Sequence, residues 1–137
     1  MMRLRVGDEL PEVLSPAIDR LRIAYMAVAM RDPNLVHVED DFAVRSGLPG
    51  VIAHGTFVLA YAGAAVGRAV GVDAIRRLKV DLTAPVFPGD ILTTKGRATA
   101  VEREDGGDLV TLALTVERED GVAVGRGSAT VFQATPA

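Results

Sequence analysis

Gly55-Thr56-Phe57-Val58-Leu59-Ala60-Tyr61-Ala62-Gly63-Ala64-Ala65-Val66-Gly67-Arg68-Ala69-Val70 carries a single charge, Arg68, in sixteen positions. The unbroken apolar run reads as one helix, roughly 24 Å long at 1.5 Å per residue. A helix that is apolar on every side has to be covered on every side. The wider stretch Leu48–Val70 is mostly Ala, Gly and Val and contains Pro49 and His54. A buried helix therefore suits it better than a membrane span, which needs about 20 strongly apolar residues.

What covers this helix has to come from the rest of the chain. Asp19 is a candidate N-cap for a helix running to about Arg31, with Ile18, Leu21, Tyr25 and Val28 at helical spacing and Pro33 stopping it. Val38–Ser46 reads as a short helix ended by Gly47; Glu39, Asp40 and Asp41 in its first turn read as solvated charges matched to the helix dipole. Tyr25 and Tyr61 are expected in the core or a pocket wall. These segments are too few to wrap the long helix, so a curved sheet has to do so. Candidate strands are Ala74–Thr83, Asp90–Glu104, Asp108–Arg118 and Val122–Gln133, with a short strand near Glu12–Pro16. Val110, Leu112, Leu114 and Val116 alternate onto one face. Ala123, Gly125, Gly127, Ala129 and Val131 form a small-residue face that lets a helix approach closely. The expectation is an α+β fold, one domain over residues 1–137, with the four strands in a meander curled around the central helix: the hot-dog arrangement. Exposed strand edges then predict a dimer.

Composition narrows the partners and the chemistry. With no cysteine there are no disulfides, thiolate metal sites or thiol nucleophiles. A net charge of −3 without any Lys/Arg run argues against nucleic acid. Met1–Asp8 lacks the apolar core of a signal peptide, and a cytoplasmic location is expected.

The chain's two histidines, His37 and His54, flank the entry to the long helix. Asp32 and His37 are five residues apart on one loop, with Asn34 between them. Asp32 follows the end of a helix, where the dipole disfavours a carboxylate, and such a broken local rule points to function. Asp32-Pro33-Asn34 is equally ordinary turn chemistry, and a lone loop histidine is ordinarily a surface residue. A carboxylate and an imidazole converging on one water can orient it and take its proton. The helix starting at Gly55 offers unpaired N–H groups that can hold an oxygen gaining negative charge. Together they suit addition of water to a double bond conjugated with a thioester, or the reverse elimination. Arg76, Arg77 and Lys79 read as a solvated strand face.

The combined pattern resembles the MaoC-like (R)-specific enoyl-thioester hydratases. Their signature is roughly G-D-x-N-P-[IV]-H-x-D, followed by x-x-x-A, a glycine turn and I-x-H-G. Asp32, Asn34, His37, Ala43, Gly47, Ile52, His54 and Gly55 fall at matching positions. Pro85-Val86-Phe87-Pro88-Gly89-Asp90 resembles the family's P-V-x-P-G-D turn, and Val6-Gly7-Asp8 its start. The resemblance implies that Asp32 and His37 activate the water attacking C3 of a trans-2-enoyl thioester. It implies that Gly55 N–H polarises the thioester carbonyl, Asn34 orients the loop, and His54 is structural. No metal or resident cofactor is implied; coenzyme A or an acyl carrier protein enters with the substrate. A homodimer, or a heterodimer with a homologous hot-dog subunit, is implied.

Arg31 stands where the family has glycine, Leu35 where it has proline, and Glu39 where aspartate is common. Those departures keep two alternatives open: a non-catalytic or partner-dependent subunit of a heteromeric hydratase, acting on fatty acyl or steroid side-chain thioesters, and a hot-dog thioesterase. Ala29-Met30-Arg31-Asp32 resembles the loop of such heteromeric enzymes.

Overall fold

The apolar run forms α3, Thr56–Val70, with Gly55 at its N-cap. In the computed structural model, which describes residues 1–135, β1 is Val13–Leu14, α1 Arg20–Ala29 and α2 Asp40–Arg45. After α3 come β2 (Ile75–Leu82), β3 (Leu92–Glu104), β4 (Gly107–Arg118) and β5 (Ala123–Ala134). Asp19 caps α1 as expected, its side chain accepting from the Arg22 N–H at 2.8 Å. None of the helices among the described residues is long and apolar enough to cross a membrane.

The strands form one antiparallel sheet in the order β1-β3-β4-β5-β2. The expected four-strand meander holds only for β3 to β5. β2 pairs with β5 instead of β3, because the Thr83–Ile91 connection is no hairpin. Its two prolines and Gly89, at φ +94°, send it across the end of α3, where Val86 C=O takes the Ala53 N–H at 2.8 Å. This Pro-Gly-Asp turn is closed by Asp90, whose carboxylate accepts from the Phe87 N–H at 2.7 Å.

Val110, Leu112, Leu114 and Val116 of β4 are all buried against α3 and its neighbours. Each contributes about 1.5–3 kcal/mol of apolar burial. The glycines of β5 have distinct reasons. A Cβ on Gly125 would come within 2.5 Å of Val58 Cγ1 on α3, so this glycine lets the start of α3 settle onto the sheet. A Cβ on Gly127 would run into the Lys79 carbonyl, so that one lets β2 pair closely.

Two expectations about covered faces are corrected. The helix α3 is not covered all round: Phe57, Val58, Ala62, Val66 and Ala69 are buried, whereas Leu59 and Ala60 are exposed. Gly63 on the same flank receives Leu78 of β2. Likewise α1 anchors through Ile23, with Ile18 buried just ahead of its cap, leaving Leu21, Tyr25 and Val28 61–78% exposed. Helical spacing located the stripe, but the sheet is already filled by α3 and does not reach it. Tyr25 is thus no core residue, whereas Tyr61 packs against the core. Asp40, expected to be merely solvated, ties three segments together. It accepts from Arg20 Nη2 at 2.7 Å and from the Val51 N–H at 3.0 Å, and the backbone N–H and the guanidinium hold its carboxyl below the usual carboxylate range.

Candidate active site

The loop bearing Asp32, Asn34 and His37 hangs from the end of α1. That helix closes in a Schellman motif: Arg31 N–H donates to Val28 C=O at 3.1 Å and Asp32 N–H to Ala27 C=O at 2.9 Å. Arg31 takes the left-handed position at φ +51°, the lone non-glycine with positive φ among the described residues. This accounts for the family's glycine there. The Asp32 backbone is thereby fixed by α1, and its Oδ1 accepts from Asn34 N–H at 3.3 Å. Asn34 works for the loop: its Oδ1 accepts from Val36 N–H at 3.2 Å, capping the 3₁₀ turn Leu35–His37 that presents His37.

The opposite wall is the extended segment Val51–His54, pinned on one side by Ile52 N–H to Val36 C=O (3.1 Å) and on the other by Ala53 N–H to Val86 C=O (2.8 Å). The Ile52 carbonyl lies 2.7 Å from His37 Nδ1. A carbonyl only accepts, so Nδ1 carries a proton, and in the neutral ring Nε2 presents its lone pair. His37 Nε2 faces Asp32 Oδ2 across 3.7 Å. With His37 neutral, two acceptors do not bond directly, and a water lying beside the pair could donate to both.

His54 is the residue whose place sequence reasoning missed. Read as purely structural, it lies in the cluster itself, its ring stacked on His37 with centroids 3.7 Å apart and planes 22° from parallel. Its Nε2 is 3.9 Å from Asp32 Oδ2, and among the described residues neither ring nitrogen has a hydrogen-bond partner although the residue is 3% exposed. Burial and the neighbouring His37 push the His54 pKa down, against the opposing pull of Asp32, which favours the neutral ring. Its lone sequence signal is the fixed step from His54 to Gly55.

Asp32, His37 and His54 each offer a ligand atom, all within 4.8 Å of one another. The stacking disfavours chelation. Imidazole lone pairs lie in the ring plane, and an ion in the plane of one of these rings would sit well out of the plane of the other.

Gly55 completes the site. Among the described residues, the N–H groups of Gly55 and Thr56 donate to no protein acceptor, leaving two free donors at the start of a 15-residue helix. A cavity of about 290 Å³ opens here, lined by His37, Ala53, Gly55, Val58, Leu82 and Ala84 among others. The structure thus brings Asp32, His37 and Gly55 together and gives Asn34 a supporting place in the same loop. Of these groups, His37 and Gly55 both line this mostly apolar cavity.

The profile of the MaoC like domain matches residues 6–120. The chain belongs to the MaoC-like family. Among solved structures, the R-hydratase PhaJ1 from Pseudomonas aeruginosa superimposes with a TM-score of 0.79 at 25% identity, over 97% of this chain and 84% of that one. The ChsH1–ChsH2 complex from Mycobacterium tuberculosis gives 0.80 at 25% identity, over 96% of this chain and 100% of that one. The (R)-hydratase from A. caviae involved in PHA biosynthesis gives 0.81 at 23% identity, over 96% and 98%, and shows the shared fold. No curated protein sequence matches significantly. The hot-dog fold read from the strand pattern is thus the fold of the MaoC-like proteins, and the family with its R-hydratase neighbours supports a hydratase or dehydratase role.

Proposed function

We propose that the chain is an (R)-specific hydratase and dehydratase of trans-2-enoyl thioesters. The observation that carries this reading is the pair of acceptors, His37 Nε2 and Asp32 Oδ2, 3.7 Å apart beside the free N–H groups of Gly55 and Thr56. A water held by the pair adds its oxygen to C3 of the enoyl group. One of its protons passes to the pair and is returned to C2, so that one molecule of water is added overall. Charge gathers on the thioester oxygen as C3 is attacked, and the N–H groups at the start of α3 stabilise it there. Elimination runs through the same groups in reverse. The protein supplies every group this chemistry needs; coenzyme A or an acyl carrier protein arrives as part of the substrate.

The open flank of α3 and the unpaired outer edge of β2 meet along one side of the molecule. A second hot-dog subunit, identical or homologous, is the proposed cover. The likeness to the ChsH1–ChsH2 complex favours a second reading in which this chain needs a different subunit for turnover. Both are tested by incubating the purified chain with crotonyl-CoA and a longer trans-2-enoyl-CoA, following loss of enoyl absorbance and the configuration of the product. Formation of (R)-3-hydroxyacyl-CoA by the chain alone supports the first reading. Inactivity alone, with turnover restored by a homologous subunit, supports the second. Release of free thiol from a saturated acyl-CoA would replace both by hydrolysis.

A further inference from the structure

Leu82 closes β2 with its backbone locked and its side chain outside the core. It pairs with Gly125 of β5, and the next residue is fixed twice, Thr83 N–H to Val124 C=O at 3.0 Å and Thr83 Oγ1 to Ala123 C=O at 2.7 Å. The residue nevertheless remains 59% exposed, an unusual place for a leucine at the end of a strand. Its side chain lies directly over Gly55. A Cβ built on Gly55 would run into Leu82 Cδ1 and come within 3.4 Å of Leu82 Cγ and Cδ2. A Cβ stands roughly 2.5 Å from its own backbone nitrogen by standard geometry. The leucine methyl therefore stands beside the free Gly55 N–H, and both line the cavity that also holds His37.

From this we infer that Leu82 is a specificity-determining residue that reads the substituent on C2 of the acyl thioester. The inference rests on the hydratase reading for its orientation of the substrate. With the thioester oxygen on Gly55 N–H and C3 at the Asp32–His37 water, C2 lies between the two anchors, and Leu82 stands against it. An unbranched C2 passes under the leucine methyls; a methyl on C2 meets them. One methyl group in an apolar pocket discriminates by about 10–200-fold.

The test measures kcat/KM for crotonyl-CoA and for 2-methylcrotonyl-CoA with the wild type, Leu82→Ala and Leu82→Phe. The Kd of butyryl-CoA and of 2-methylbutyryl-CoA is measured for the same three proteins. The wild type is expected to prefer the unbranched thioester in both assays. Leu82→Ala narrows that preference at least about tenfold, chiefly through KM and Kd of the branched compound, and Leu82→Phe widens it. If turnover is absent in all three proteins, with and without a homologous subunit, but the binding preference shifts in this order, the hydratase reading falls and the assignment of Leu82 stands. An unchanged branched-to-unbranched ratio across the three overturns the inference alone. Failure of the wild type to bind either saturated thioester overturns it as well.

Discussion

Helices α1 and α2 end in the same motif. At the end of α2, Gly47 N–H donates to Val44 C=O at 3.0 Å and Leu48 N–H to Ala43 C=O at 3.0 Å, the pattern made at the end of α1 by Arg31 and Asp32. The left-handed position is held by Gly47 at φ +87° in one and by Arg31 at φ +51° in the other. The following position is a half-buried leucine in one and a half-exposed aspartate in the other. The α2 end follows the local rules: glycine where a side chain is strained, an apolar residue where the motif packs. The α1 end breaks both, placing a strained arginine and a carboxylate at the negative end of a helix. The same hydrogen-bond pattern thus serves a plain turn in one place and carries the carboxylate of the proposed site in the other. The proposed site lies where the shared motif departs from its own preferences.

The largest effect expected from breaking this contrast lies beyond the Asp32 turn. His37→Ala removes the imidazole whose Nε2 lies 3.7 Å from Asp32 Oδ2, and kcat on crotonyl-CoA should fall about 10²–10⁴-fold while binding of butyryl-CoA persists. A comparable change in the plain turn should cost stability alone. Gly47→Arg puts a side chain in the left-handed region and should lower unfolding free energy by about 1–2 kcal/mol in urea titration, with turnover kept.

The buried partner of His37 gives a pH signature. Burial, with His37, lowers the His54 pKa below its ordinary 6.5, so below pH 6.5 the unfolded chain binds a proton that the folded chain refuses. Stability from this source is full above pH 6.5, falls as the pH drops from 6.5 toward the folded value, and levels off below it. Denaturation of wild type and His54→Phe at pH 7.5 and 5.5 should show a smaller acid loss in the variant, whose ring keeps the stacking but has no proton to gain.

The smallest expected effect sharpens the comparison directly. Arg31→Gly gives the α1 end the residue the motif prefers. The relief of left-handed strain is partly offset by glycine's unfolded-state entropy, so the net gain should be at most about 1 kcal/mol, read as a modest rise in Tm.

Much of this was legible in the sequence because it is local. The capping carboxylate of Asp19, the alternation of Val110 to Val116, the Pro85–Asp90 turn and the apolar run into α3 each state their structure within a few residues. The spacing of Asp32, Asn34 and His37 likewise placed the loop. What escaped depends on contacts distant in the chain. Pairing of β2 with β5 is decided by the path of the Thr83–Ile91 connection, which alternation does not encode. The outward stripe Leu21, Tyr25 and Val28 has the spacing of a core face, and only the prior claim of α3 on the sheet leaves it uncovered. His54 lies seventeen positions after His37 in the chain, and stacking at 3.7 Å between them follows from the pinning of Val51–His54 on both sides. Departure of Arg31 from the family pattern was visible, but its meaning required the backbone angle.

The central claim is that the end of α1 delivers a carboxylate to a water shared with His37. Asp32→Asn keeps the Schellman motif, the Asn34 contact and the side-chain shape while removing the charge. The decisive measurement is the initial rate of crotonyl-CoA hydration by wild type and Asp32→Asn at equal concentration, each checked by its melting temperature. The account predicts hydration by the wild type and a rate at or near background in the variant, with melting temperatures that agree closely. Equal rates in the two folded proteins would contradict it.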